Sequence, residues 1–129
     1  MFKKLALILC LSTSVIYAED GVFIDDPERA FVFAKDHKKD VLLVFTADWC
    51  KYCKIMQDDI RGDLKVVDDM VVCYVDFDSR KDLVENYKVG TIPDSMVYEA
   101  GQVELGRRLG YTGLDSFRAW LRDCKRIKK

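Results

Sequence analysis

Proline and glycine are scarce in this sequence, at two and seven residues in 129. That excludes a collagen-like or low-complexity chain, since such chains are rich in those residues. A basic excess is missing too. Lys and Arg number 21 against 22 Asp and Glu, which argues against a nucleic-acid partner, whose binders are strongly basic. Long apolar runs are lacking: Leu5–Leu11 falls well short of the roughly 20 residues that a membrane span needs. Metal ligands are few, because a closed zinc site needs four and Cys73, Cys124 and the lone His37 are scattered singly. No metal and no cofactor is therefore expected. Core material is ample: half of the residues are hydrophobic, and two Trp, six Tyr and seven Phe are among the 129. That is enough for one compact globular domain.

Residues 1–18 do not read as part of that domain. Met1-Phe2-Lys3-Lys4 is a cationic start, Leu5–Leu11 an apolar stretch, and Val15-Ile16-Tyr17-Ala18 ends in a small residue before Glu19-Asp20. This is the pattern of a cleavable secretory signal peptide. A retained anchor is the rival, but Ser12-Thr13-Ser14 interrupts the run. Lipidation at Cys10 is another, but Leu7-Ile8-Leu9 lack the small side chains of such sites. The expectation is a signal peptide at 1–18 and a mature domain at 19–129. That domain is expected to be periplasmic or secreted, monomeric and not membrane-spanning.

Along the mature chain, Asp25-Asp26-Pro27-Glu28 reads as a helix start, with a capping carboxylate and proline in the first turn. That helix is expected to reach about Lys38. Val41–Phe45 and Val71–Val75 are short apolar runs of the kind buried on both faces of a parallel sheet. A helix ending near Arg61 separates them, and another reaches Tyr87. Met96–Tyr98 and Val103–Arg107 read as a hairpin around Ala100-Gly101. Thr112 and Asp115 have the form of a capping box, and Leu114, Phe117, Trp120, Leu121 and Cys124 line one face of a last helix. Alternation followed by a hairpin implies an α/β fold, a mixed β-sheet with helices on both faces.

The chemistry concentrates at Trp49-Cys50-Lys51-Tyr52-Cys53, between a strand and a helix. There Cys50 lies at a helix N-terminus, where the positive end of the dipole stabilises a thiolate. Cys50 is expected to be the exposed nucleophile and Cys53 the resolving thiol, passing through a mixed disulfide. Lys51 is a candidate for depressing the thiolate pKa further, or for pointing into solvent. Trp49 and Tyr52 are expected at the rim. Other readings of the pair stay open. A zinc half-site lacks further ligands, and covalent haem needs His where Lys54 stands. A purely structural disulfide would close too short a loop to be a useful staple. Cys73 and Cys124 are expected to be buried hydrophobes, with a second disulfide between them as the alternative.

The chain resembles the thioredoxin superfamily, particularly its exported thiol–disulfide reductases. The resemblance rests on strand Val41–Phe45, the Cys50–Cys53 motif, strand Val71–Val75, Gly90-Thr91-Ile92-Pro93 and the last helix, in that order. It implies a thioredoxin fold, a redox-active Cys50–Cys53 disulfide and a cis peptide bond before Pro93. It also implies that Ile92 and Pro93 form part of the substrate groove. There are departures. The carboxylate commonly found six residues before the first cysteine is replaced by Val44, so water or another group must serve the second cysteine. Tyr74 stands where the family has a lysine, and Asp94 follows the proline, where an acid would raise a neighbouring thiolate's pKa. The expected function is reduction of disulfides in cysteine-containing exported proteins. By the resemblance, the electrons come from a membrane electron-relay protein. The alternatives are an oxidase or isomerase on the same fold, or a binding module whose dithiol is idle.

Overall fold

A computed structural model describes residues 21–100 and 103–127, so the signal-peptide reading of 1–18 lies outside the described residues. Strand β1 (Val22–Phe23) leads into helix α1 (Pro27–His37), followed by β2 (Asp40–Thr46) and α2 (Lys51–Gly62). A 3-10 turn at Leu64–Val67 precedes β3 (Met70–Asp76) and α3 (Lys81–Asn86), and the chain closes with β4 (Asp94–Glu99), β5 (Val103–Leu109) and α4 (Leu114–Ile127). The sheet order is β1-β3-β2-β4-β5. β3 runs parallel to both β1 and β2, while β4 is antiparallel to β2 and to β5.

This is the expected mixed sheet with helices on both faces, and the local reasons hold. Asp26 caps α1 by accepting from the Arg29 amide, and Pro27 occupies the first turn. Lys38 closes the helix in the left-handed conformation, at φ 55°. β2 is buried at every position, because a central strand is covered by helices on both sides. Its residues divide between two cores. Leu42 and Val44 face α2 and α4 with Met56, Ile60, Phe117 and Leu121. Val41, Leu43 and Phe45 face α1 with Ala30 and Ala34, and Leu83 and Val84 of α3, with Tyr87 just after it, pack against that core.

Two features differ from the sequence expectations, and for Cys73 and Cys124 the expected burial holds while the alternative disulfide is excluded. β1 was not foreseen: two residues carry no alternation, and pairing with Val71 and Val72 alone makes it a strand. The Thr112–Asp115 capping box does not form. α4 begins at Leu114, with the Phe117 amide bonded to Gly113 O (3.2 Å), while Thr112 Oγ1 engages Arg108 and Ser116. Cys73 and Cys124 are both free and buried, and lie in different cores on opposite faces of the sheet, so they do not pair.

Candidate active site

The dithiol sits where β2 hands over to α2. Ala47 O accepts from the Cys50 amide (3.1 Å), which turns the chain after the strand. Cys50 then takes extended angles (φ −91°, ψ 111°) as the N-cap of α2, and its sulfur accepts from the Cys53 amide at 3.2 Å. Cysteine thereby fills the role that Ser or Asp plays at other helix starts. The same amide, with the helix dipole behind it, favours negative charge on Cys50 Sγ. Cys50 and Cys53 form a disulfide with Cα atoms 5.2 Å apart, within the ordinary range.

Both sulfurs belong to a small cluster with Ala47, against which Phe77 and Ile92 pack. Cys50 is 7% exposed and Cys53 1%. The first cysteine is thus the more open of the two, yet far less exposed than its expected role suggested, because Ile92 and Phe77 flank it. The rim around it is open and aromatic, with Trp49 at 64% and Tyr52 at 55% exposure. Trp49 is held from a distance: its indole N–H donates to Asp78 (2.8 Å) and its ring meets Phe77 edge-on at 6.5 Å. Lys51 turns its ammonium over the Tyr52 ring, 5.7 Å from the centroid. The Ile92-Pro93 bond is cis, and Pro93 is buried.

Asp94 has a partner that the sequence did not announce. It is fully buried, and Arg107 grips both carboxylate oxygens, with Nε at 3.0 Å and Nη2 at 2.6 Å. This fork-to-fork pair compensates the acid locally. It also pushes the Arg107 pKa up from its already high value, chiefly through the Asp94 hydrogen bonds. Arg107 Nη2 further donates to Tyr87 O (2.9 Å) and Lys88 O (3.3 Å), while the Gly110 amide donates to Pro93 O (2.7 Å). The Val89–Pro93 loop is therefore tied to α3 and β5 at both ends. Neither Arg107 nor Asp78 was singled out as functional by sequence reasoning. Their partners lie 13 and 29 positions away, and no local pattern marks such distances.

Beneath the dithiol, Val44 faces Tyr74 on one side and Ser95 on the other. Burial pushes the Tyr74 hydroxyl up to about 12, partly offset by Arg61. His37, read as a solvated helix end, is exposed and stacks on Phe33 at 3.9 Å. Among the described residues no group of three His, Cys, Asp or Glu side chains is placed to hold a metal.

Comparison with known proteins agrees with this geometry. The thioredoxin family profile matches residues 28–123, and the chain belongs to that family. It is 34% identical to a thioredoxin H-type from Fagopyrum esculentum over 87 residues, covering 67% of this chain and 74% of that one. It is 29% identical to a probable protein disulfide-isomerase A6 from Medicago sativa over 115 residues, covering 87% of this chain and only 32% of that longer protein. Among solved structures, Trxlp from Edwardsiella tarda superposes with a TM-score of 0.67 at 26% identity, covering 77% of this chain and 97% of that one. A thioredoxin from Trypanosoma brucei brucei reaches a TM-score of 0.66 at 21% identity, covering 87% and 96%, which speaks for the fold alone. With the dithiol at the start of α2, the chain is a thioredoxin-like thiol–disulfide oxidoreductase.

Proposed function

We propose that this protein is an exported disulfide reductase acting on cysteine-containing exported proteins. A membrane electron-relay protein would keep it reduced. Cys50 attacks the partner's disulfide, one partner sulfur leaves as thiolate, and a Cys50–partner mixed disulfide forms. Cys53 then attacks Cys50 Sγ, releases the second partner sulfur and closes the Cys50–Cys53 bond. Two electrons pass to the partner, and the donor must return them. Trp49, Lys51, Tyr52, Ile92 and Pro93 would form the surface against which the partner segment lies.

The observation that carries the reducing direction is the electrostatic setting of Cys50 Sγ. It receives the Cys53 amide at 3.2 Å, while the neighbouring cation, Lys51, is turned over the Tyr52 ring. A strong oxidant owes its potential to extra stabilisation of the reduced form. One backbone donor is modest support for a thiolate, so the disulfide stays competitive. Export rests on the pattern of residues 1–18, with its two lysines, apolar run and Ala18 before Glu19.

Equilibration of the protein in defined thiol buffers tests the direction. A potential near the roughly −270 mV of thioredoxins is expected, and one near about −120 mV would make the protein an oxidant instead. A pair that never cycles would leave a redox-idle binding module, in which Cys50→Ala retains function. The mass of the protein recovered from its producing cell tests export: loss of about the first eighteen residues supports the reading, and a chain that retains them overturns it.

A further inference from the structure

One polar atom beside the dithiol layer is left unused by everything described so far. Ser95 is fully buried, and its Oγ has no hydrogen-bond partner among the described residues. Buried hydroxyls are nearly always paired, because burial without a partner is costly, so such an orphan calls for a reason.

Register shows what Ser95 faces. It lies opposite Val44 in the β2–β4 ladder, and Val44 lies opposite Tyr74 in the β2–β3 ladder. Side chains at facing positions share one side of a sheet. Val44 belongs to the core beneath α2, with Met56 and Ile60, and so does Val97, the next same-side residue of β4. Ser95 therefore opens toward the layer between the sheet and α2. Cys53 heads the buried side of α2 that continues through Met56 and Ile60. Ser95 is also near the site end of its strand, two residues past Pro93. Cys53 packs with Ala47 and Cys50, one helical turn before Met56, which lies in the core with Val44.

The reaction requires a polar group there. To resolve the mixed disulfide, the Cys53 S–H must lose its proton to solvent or base. Its electron pair then forms the bond to Cys50 Sγ, the Cys50–partner bond breaks, and the partner leaves as a thiolate that takes up a proton. For that step Cys53 carries negative charge at a position 1% exposed, where desolvation disfavours it. We propose that the Ser95 hydroxyl is the hydrogen-bond donor that stabilises the Cys53 thiolate during resolution. It does so from the strand beside Val44. The proposal rests on the Cys50–Cys53 pair cycling, as the proposed function requires.

Several charged groups around this layer are paired with others, and burial pushes the Cys124 thiol of the same core up to about 11. From β5, Arg108 reaches Thr112 Oγ1 (3.1 Å) and Ser116 Oγ (3.2 Å). From α2, Asp59 accepts from Tyr111 (2.7 Å), and the α4 residue Arg118 pairs with Asp63 (2.7 Å) and with Asp115 (3.3 Å). Tyr74 of β3 holds its proton to about pH 12. Cys53 itself is accordingly expected to dominate the pH profile of the resolving step.

The test follows the reduced protein with a chromogenic aromatic disulfide in a stopped-flow instrument. The first thiolate released reports attack by Cys50, and the second reports attack by Cys53. In Ser95→Ala the first phase should be unchanged. The second should slow about tenfold, the scale of losing one hydrogen bond to a charged group, and its pH midpoint should rise. The melting temperature should hold or increase, because an unpaired buried hydroxyl has been removed. Ser95→Thr, which keeps the hydroxyl, should retain the fast second phase. An unchanged second phase in Ser95→Ala would overturn the proposal. So would equal slowing of both phases with a lower melting temperature, which marks a structural role. Absence of the first phase in the parent protein would overturn the dithiol reading itself, a result distinct from either.

Discussion

Four cysteines in the described chain form two contrasting pairs. Cys50 and Cys53 stand three positions apart at the start of α2, bonded to each other and flanked by Ile92 and Phe77. Cys73 and Cys124 are equally shielded from solvent, yet lie on opposite faces of the sheet with no sulfur partner. Burial alone therefore does not distinguish reactive from inert thiols here, since all four are less than a tenth exposed. What differs is polar surroundings. Cys50 Sγ receives a backbone amide at a helix N-terminus, whereas burial pushes Cys73 up to about 12 and Cys124 up to about 11. A buried sulfur with a donor aimed at it is a nucleophile in waiting, and one without a donor behaves as a small hydrophobe.

The largest expected effect tests that contrast directly. Cys50→Ala should abolish reduction of a protein disulfide by a thiol donor, while Cys73→Ala and Cys124→Ala should leave the turnover rate unchanged. Equal losses in all three would erase the distinction. Next comes the wall that keeps the first pair in place. Arg107→Ala strands Asp94, a fully buried carboxylate, and should cost about 3–5 kcal/mol in denaturant unfolding. A cost under about 1 kcal/mol would mean that the ion pair adds little beyond a surface contact.

The inert pair is probed by packing. A Cβ at Gly106 would stand 2.6 Å from Cys124 Sγ, so Gly106→Ala should destabilise by about 1–3 kcal/mol. Adding Cys124→Ala should restore part of that loss. Alkylation sharpens the same point: in the reduced native protein at pH 8, iodoacetamide should label Cys50 and spare Cys73 and Cys124 until denaturant is added. A last test lies at high pH. The unfolded thiols lose their protons near the ordinary 9.0, while the folded ones hold them to about 12 for Cys73 and about 11 for Cys124. Folded pKa values above the unfolded ones mean that this stability is complete below about pH 9 and is lost as pH rises through 11 to 12. A melting temperature that stays flat across that range would show the two thiols to be less shielded than described.

Much of the molecule was legible from short stretches of sequence. Asp26-Pro27 marked the start of α1, the runs around Val41–Phe45 and Val71–Val75 marked the central strands, and Cys50–Cys53 marked the dithiol. Each of these is a matter of neighbouring residues and intrinsic geometry. The failures were of another kind. β1 is a strand only because β3 offers it an edge. Asp94 read only as an acid near the dithiol because nothing near it in sequence announces Arg107. Cys50 read as exposed because its cover comes from Phe77 and Ile92, each more than two dozen positions away.

The class of fold and the place of the chemistry follow from short stretches of the chain. Helix capping, apolar runs and a two-residue spacing between cysteines act over a few bonds. Long-range packing is what separates Cys73 from Cys124 by the sheet and brings Arg107 to both oxygens of Asp94. It alone set Ser95 beside Val44, on the face beneath α2. These depend on strand register and on which face each side chain takes. A shift of one residue would reverse every face, and register is set by the packing of the whole core.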